Sequence, residues 1–148
     1  IFGNVFEKTE SVALETFELK PFKDFNDIIL KMLNIYEAYE KDKILEILNS
    51  HPELAVAKKL TSESKSEQAS AKLNECSNDE YEEFKKLNLE YKKKFNFPFI
   101  IAVKGKNKNE ILNNFRQRIQ SDVESEFLEA KKQVKKIATF RLNEINKK

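Results

Sequence analysis

The amino-acid sequence predicts an all-α fold: a single-domain multi-helix bundle with one extended connector near residues 97–103. The chain of 148 residues has the size of one ordinary domain, so residues 1–148 are expected to form one unit. Only two glycines and three prolines are present, and so few turn residues disfavour a β-sandwich. Apolar residues make up 40% and charged residues 35%, which indicates a globular chain rich in helix-forming residues rather than a disordered one.

Charge and cysteine content exclude several classes of function. The 27 basic and 25 acidic residues give a net charge of +2, which does not predict a nucleic-acid partner. One cysteine and one histidine cannot form an internal disulfide or a Cys/His zinc site within one chain, so no such metal site is expected. No apolar run approaches the roughly 20 residues of a membrane span. These features favour a cytoplasmic protein in a reducing compartment, without a membrane partner.

The apolar pattern predicts three helices in the first third of the chain. They cover residues from about 4 to 19, residues 22–39, and the short segment "DKILEILNS". The third helix must end before Pro52, because proline disfavours the helical conformation at the residue before it. That residue is His51, so the only histidine of the chain lies at a helix boundary.

Four more helices are predicted after Pro52. They are expected in "ESKSEQASAKLNEC", over residues 77–95 with a capping box from Ser77 to Glu80, in "NEILNNFRQRIQ", and from a second capping box at Ser121 and Glu124 to about residue 145. The run "FNFPFIIAV" between two of them has the composition of a β-strand but no partner strand. We therefore interpret it as an extended, partly buried connector.

His51 is a candidate for acid–base chemistry, because histidine titrates nearest to neutral pH. The alternative is a surface or capping histidine. Pro52 restrains the backbone beside it, which helps to hold a catalytic group in place. In "SKSEQ", Ser64 and Glu67 have the spacing of a capping box, but the small residues after Gln68 would also let a ligand approach closely.

The connector and Arg141 leave two further alternatives open. Extended backbone between helices leaves N–H and C=O groups unpaired, and a ligand with amide-type groups is one partner for them; ordinary core filling is the other interpretation. Arg141 lies on the apolar stripe of the last helix. It either extends towards solvent or forms a structural ion pair, or it holds a buried carboxylate in the site.

Five motifs follow one another along the chain: "HPELA", "LTSESKSEQASAKL", "LNLEYKKKFNFPFIIAVKG", "EILNNFRQRI" and "KKIATFRLNEI". Together and in this order they resemble the OHCU decarboxylase family, and the resemblance covers roughly residues 45–145. Such enzymes convert 2-oxo-4-hydroxy-4-carboxy-5-ureidoimidazoline to (S)-allantoin without a cofactor, in the degradation of urate. The resemblance therefore implies an all-α carboxy-lyase, with a small ureidoimidazoline as substrate and a homodimer as assembly.

The same resemblance implies roles for particular residues. His51 would be the catalytic proton donor and Glu67 the catalytic carboxylate. The substrate-binding residues would be Pro52, Ser64, Lys65, Ser66, Gln68, Phe99, Ile100, Ile101, Ala102, Val103 and Arg141, the residues from 99 to 103 acting through their backbone. No metal ligand is implied.

Two positions depart from the family pattern. Asn96 stands where the family usually has glycine, and asparagine tolerates a left-handed backbone better than most residues. Lys72 stands where glycine is frequent, so its side chain must point outwards or the helix must pack differently. The alternative function is a non-catalytic helical interaction module derived from the family; a nucleic-acid-binding helical domain is a third and weaker hypothesis.

Overall fold

A computed structural model describes residues 2–55 and 61–147, with the side chain of Asn74 left aside. The described part of the chain is built from α-helices and one short 3-10 helix, without a β-strand, which confirms the all-α prediction. In the described ranges, no helix is long and apolar enough to span a bilayer. The elements are α1 Ser11–Phe17, α2 Phe25–Ala38, α3 Lys41–Ser50, α4 Ser62–Ser70, the 3-10 helix Leu73–Glu75, α5 Asn78–Phe95, α6 Lys108–Arg118 and α7 Val123–Asn146.

The last helix, α7, is the element around which the bundle is organised. It is 24 residues long, and α2, α3 and α5 all pack against it. One face of α7 carries buried residues at helical spacing, as the apolar stripe predicts; among them are Ala130, Val134 and Ala138. The hydroxyl of Tyr36 on α2 donates to the carbonyl of Lys131 at 2.8 Å, which ties these two helices together.

The end of α3 agrees with the prediction. The helix ends at Ser50, and His51 adopts an extended conformation with φ −76° and ψ 143°. This is the conformation that a following proline favours. The backbone of His51 therefore leaves the helix axis at the point where its side chain enters the interior.

Two helices are shorter than the sequence predicted. The first was expected from about residue 4 but begins only at Ser11, because Lys8 has a left-handed φ of 50° that a helix cannot accommodate. The helix after Pro52 was expected to reach residue 76 but ends at Ser70, since Lys72 has a φ of 60°. The Lys72 side chain is exposed, which is the first of the two alternatives that the sequence left open at this position.

The helix caps also differ from the sequence patterns in two places. Thr61, not Ser64, caps α4 by accepting a hydrogen bond from the Ser64 N–H, so Ser64 and Glu67 do not form the alternative capping box. Asp122, not Ser121, caps α7. In contrast, the capping box of α5 is present as predicted, and Asn96 ends that helix in a left-handed conformation with φ 64°.

The connector runs from Pro98 to Val103 without a helix, a turn or a bend. Its residues from Phe99 onwards are fully buried rather than partly buried. The ring of Phe99 stacks on that of Phe115 with their centroids 3.9 Å apart, and packs edge-on against Tyr91. Aromatic packing of this kind fixes the start of the connector against α5 and α6.

We expect Lys72→Gly to stabilise the protein, because a left-handed backbone is unfavourable for a residue with a Cβ. The gain in free energy of unfolding should be up to about 1 kcal/mol, since glycine also loses more chain entropy on folding. Lys86→Gly is the matched control: Lys86 is exposed inside α5, where glycine should cost about 0.5–1 kcal/mol. Urea denaturation would measure both, and changes of the same sign would contradict the prediction.

Candidate active site

A cleft lies where the end of α3, helix α4, the connector and the C-terminal half of α7 meet. Its atom-free space is about 350 Å³, including the opening to solvent. Most of the residues that the resemblance implied come together here, although they are far apart in the sequence. The lining comprises His51, Pro52, Ser64, Glu67, Gln68, Phe99, Ile100, Ile101, Val103 and Arg141, together with Leu54 and Ile137, which the sequence did not indicate.

Three of the expected substrate-binding residues lie outside this lining. Lys65 and Ser66 are exposed on α4, because the helical period places them away from the face that carries Ser64, Glu67 and Gln68. Ala102 is buried in the connector, but its N–H donates to the side chain of Gln133. The structure therefore does not bring these three residues to the cleft.

Arg141 is buried and binds two carboxylates, so it does not extend towards solvent, which was one interpretation of its position on the stripe. Its Nε and Nη2 donate to the two carboxylate oxygens of Glu67 at 2.9 and 2.8 Å, a bidentate pair. Nη2 also donates to Glu7 at 2.9 Å, and Nη1 donates to the carbonyl of Asn4 at 2.7 Å. Every nitrogen of this guanidinium thus already donates to an acceptor within the protein.

Glu7 is a member of this cluster that the sequence did not reveal. It has no exposed surface, and its Oε2 accepts a hydrogen bond from the Ser64 hydroxyl at 2.6 Å in addition to the one from Arg141. Burial alone would raise the pKa of Glu7, but hydrogen bonds from Ser64 and Thr61 and the charge of Arg141 hold it below the usual value. Glu7 is therefore a buried carboxylate, and its negative charge is compensated by Arg141.

No local signal marks Glu7, which lies before α1 in a segment that the apolar pattern had assigned to the first helix. The one available hint is its position after Val5 and Phe6, both of which are buried in the core. A charged residue next to two core residues does not show whether its own side chain is buried, and 134 residues separate it from Arg141.

Arg141 stays protonated despite its burial. Desolvation would lower its pKa, but the hydrogen bonds and charges of Glu67 and Glu7 outweigh this effect and raise it. One cation thus faces two carboxylates. The side chain of Glu67 retains about a quarter of its exposure and is the one of the two carboxylates that borders the cleft.

Gln68 uses its side-chain amide to hold the chain that follows Pro52. Its Nε2 donates to the carbonyl of Glu53, and its Oε1 accepts from the N–H of Ala55, both at 3.2 Å. Asn88 of α5 adds a third restraint by donating to the carbonyl of Leu54 at 3.0 Å. Because the restrained turn follows directly after His51 and Pro52, these contacts stabilise the position of the histidine.

His51 is a neutral imidazole with a defined tautomer. Its Nδ1 lies 3.0 Å from the carbonyl of Ile47, which can only accept, so Nδ1 carries the proton. Nε2 is then an acceptor, and it is buried without a hydrogen-bond partner within residues 2–55 and 61–147. Burial lowers the pKa of His51 to about 4, against the opposing effects of the Ile47 carbonyl and the charge of Glu7. His51 is therefore a proton acceptor first; it can donate a proton only after it has taken one.

The fold and the cleft define a class of protein: an all-α protein with one cleft lined by a histidine, an arginine-bound carboxylate and a backbone connector between helices. The family model described as OHCU decarboxylase matches residues 1–143. The chain belongs to that family.

Relatives of this chain are found in bacteria, archaea and animals. The chain is 34% identical to the 2-oxo-4-hydroxy-4-carboxy-5-ureidoimidazoline decarboxylase of Haloferax volcanii, over 97% of this chain and 85% of that protein. It is 39% identical to the uric acid degradation bifunctional protein of Bacillus sp. (strain TB-90), over 98% of this chain. The chain spans only 29% of the length of that bifunctional protein and of its Bacillus subtilis counterpart.

Two solved structures share the architecture. A crystal structure of (S)-allantoin synthase aligns with a TM-score of 0.77 and 28% identity, over 97% of this chain and 47% of that one. A crystal structure of OHCU decarboxylase in the presence of (S)-allantoin aligns with a TM-score of 0.83 over 99% of this chain and 97% of that one. At 23% identity, the second likeness concerns the fold.

Proposed function

We propose that this chain catalyses the cofactor-independent decarboxylation of 2-oxo-4-hydroxy-4-carboxy-5-ureidoimidazoline to (S)-allantoin in urate degradation. The observation that carries the proposal is the convergence of His51, the Glu67–Arg141 pair and the connector backbone on one cleft. The family and the names of its members supply the substrate.

The reaction needs an electron sink and one directed proton transfer. The substrate carries its hydroxyl and carboxylate on C4, and the neighbouring C5 is doubly bonded to a ring nitrogen. When CO₂ leaves, the electron pair of the broken bond forms a C4=C5 double bond, and the C=N pair moves to the ring nitrogen, which takes a proton. The resulting enol then ketonises: the C4 hydroxyl loses its proton and C5 gains one, which creates the stereocentre. One proton is consumed in total, and the substrate itself provides the sink.

The neutral state of His51 suits the ketonisation step. Its free Nε2 would accept the proton of the C4 hydroxyl, and the imidazolium that forms would deliver a proton to one face of C5. A histidine that rested as a cation could not accept the first proton. The role as proton donor that the resemblance implied is thus proposed as the second half of a transfer that begins with His51 as a base.

The nitrogens of Arg141 already donate hydrogen bonds to acceptors within the protein, and this arrangement favours decarboxylation. An arginine that clamped the substrate carboxylate would stabilise the ground state and would lose that interaction as CO₂ leaves. Here the guanidinium instead holds Glu67 in a fixed orientation. In that orientation the Glu67 carboxylate can accept hydrogen bonds from N–H groups of the ureido side chain or of the ring. Holding the substrate in the reactive orientation in this way lowers the free-energy barrier of the reaction.

We propose, as the resemblance implies, that the chain acts as a homodimer in the cytoplasm. The free thiol of Cys76 is consistent with a reducing compartment. Sedimentation velocity tests the assembly, because the mass of the dimer would be twice 17.4 kDa.

A coupled optical assay tests the activity. Urate is converted by uricase and hydroxyisourate hydrolase in the presence of this protein, and the circular dichroism of allantoin is followed. We expect the signal of the S enantiomer to appear faster than allantoin forms spontaneously. Racemic allantoin at the uncatalysed rate would refute the enzyme proposal. The non-catalytic interaction module predicts that outcome, together with no thermal shift in the presence of allantoin.

A further inference from the structure

Two buried side chains hold one edge of the connector, and neither has a part in the mechanism above. Nη1 of Arg118, at the end of α6, donates to the carbonyl of Ile100 at 2.7 Å. Oε1 of Gln133, in the middle of α7, accepts from the N–H of Ala102 at 3.0 Å. Both side chains are buried, so water does not compete for these bonds.

The hydrogen bonds from Arg118 to Ile100 and from Ala102 to Gln133 show which edge of the connector is left without protein partners. In an extended chain, the N–H and C=O of one residue point to the same edge, and those of its neighbours point to the opposite edge. Ile100 and Ala102 therefore present their groups to the edge that Arg118 and Gln133 hold, and Ile101 presents its groups to the other. Within the described residues, the N–H and C=O of Ile101 have no hydrogen-bond partner.

The cleft lining includes Ile101, the residue whose N–H and C=O are free of protein partners among the described residues. Phe99, Ile100 and Val103 line the cleft as well, whereas Ala102, whose N–H is taken by Gln133, does not. A donor and an acceptor that point from one residue to the same side match a ligand with an adjacent N–H and C=O, as paired strands match each other.

Arg118 is itself held in place by neighbouring side chains, so it can fix the register of the connector. Its Nε donates to Oε1 of Glu126 at 2.7 Å, and the hydroxyl of Tyr91 donates to the same oxygen at 2.5 Å. Glu126 is 1% exposed, and the guanidinium also lies 4.4 Å above the ring centroid of Phe99. A slip of the connector by one residue would break both bonds and would turn the groups of Ile101 away from the cleft.

We propose that Arg118 and Gln133 are positioning residues that fix the register of the connector, so that the N–H and C=O of Ile101 face the cleft and select ureide ligands with an adjacent N–H and C=O. The identity of the ligand rests on the proposed function, whereas the register does not. The fixed register orients the ring relative to His51, and so it decides which face of the ring receives the proton.

Amide hydrogen exchange tests the register independently of activity. We expect the Ala102 amide to be protected in the wild type, and Gln133→Met to speed its exchange at least about tenfold, because the acceptor is lost. Gln133→Glu keeps an acceptor oxygen at this position and should restore protection. Added (S)-allantoin should slow exchange at Ile101. Unchanged exchange of Ala102 in Gln133→Met, or protection by allantoin at Ala102 and not at Ile101, would overturn the proposal.

Kinetics test the consequence for the reaction. Lysine cannot reproduce the fork with which Arg118 binds Ile100 and Glu126 together, so Arg118→Lys should raise KM about tenfold and lower the enantiomeric purity of the allantoin. Arg116→Lys is the matched control, since Arg116 lies on the same helix but pairs with the surface residue Glu83. Gln133→Met should show the same effects if Arg118→Lys does not fold.

A purely structural role predicts a different pattern. Arg118→Lys and Gln133→Met would then lower the melting temperature and leave KM and enantiomeric purity at the values of the control, which would refute the positioning role. If the wild type itself does not accelerate the reaction, the proposed function fails, while the exchange measurements still decide the register.

Discussion

Replacing His51 with glutamine should lower kcat by about 10²–10⁴-fold and leave KM nearly unchanged, which is the usual contribution of a positioned proton transfer. Glutamine keeps a polar side chain of similar length, so the fold should survive; an unchanged far-ultraviolet circular dichroism spectrum would show this. The coupled urate assay measures the rate. Near-wild-type turnover in His51→Gln would contradict the assignment of this residue.

The pH dependence gives the same variant a second readout. A base must be neutral to act, so wild-type kcat/KM should fall as the pH drops through about 4, the lowered pKa of His51 in its buried position. Because His51 is the only histidine, the rate ratio of wild type to His51→Gln should be constant at neutral pH and should decline in that acidic range. A decline of the ratio between pH 6 and 7 would mean that His51 has an ordinary pKa.

Replacing Arg141 with methionine should cost about 3–5 kcal/mol in free energy of unfolding at pH 7, the usual effect of leaving a buried charge uncompensated. Glu7 has no exposed surface, so it cannot recover solvation when Arg141 is removed. Adding Glu7→Gln to Arg141→Met removes the uncompensated charge and should restore part of the loss. Urea denaturation of the two single variants and the double variant measures this coupling.

A surface pair gives the control for this experiment. Arg116 makes a comparable two-point contact with Glu83, but half of the Arg116 side chain is exposed. Arg116→Met should therefore cost no more than about 1 kcal/mol. Equal losses of unfolding free energy in Arg141→Met and Arg116→Met would contradict the view that burial is the reason for the large contribution of the Arg141 cluster to stability. Activity should be lost in Arg141→Met but not in Arg116→Met, since only Arg141 orients Glu67.

Features that depend on residues close together in the sequence could be predicted, whereas features that depend on distant residues could not. Helix α5 begins at its predicted capping box and ends at Asn96, because both signals lie within a few residues of the ends that they define. Helix α4 ends earlier than predicted, since the backbone of Lys72 is left-handed for reasons that its neighbours in sequence do not show. Periodicity locates the middle of a helix better than its ends.

The residues of the candidate site also fall into two groups, those that the sequence indicated and those that only the structure shows. The motifs around His51, Glu67 and Phe99–Val103 pointed to the cleft through a family resemblance, and the structure brings most of those residues together. Glu7 and Gln133 lie outside the five motifs, and Arg118 lies within "EILNNFRQRI" without a role that the resemblance implied. Each acts through a partner that is distant in the sequence, so no local pattern could distinguish it from an ordinary surface residue.

The sequence by itself determined the helical class of the protein, the end of α3 at the histidine and the family, because each depends on propensity, on proline geometry or on ordered motifs. Only the tertiary structure decided the charge states and the orientations within the site. Desolvation makes His51 neutral, and two carboxylates from distant segments keep Arg141 charged and occupied. Both effects depend on which groups are packed against each other and how much water they exclude, and these quantities exist only once the chain has folded.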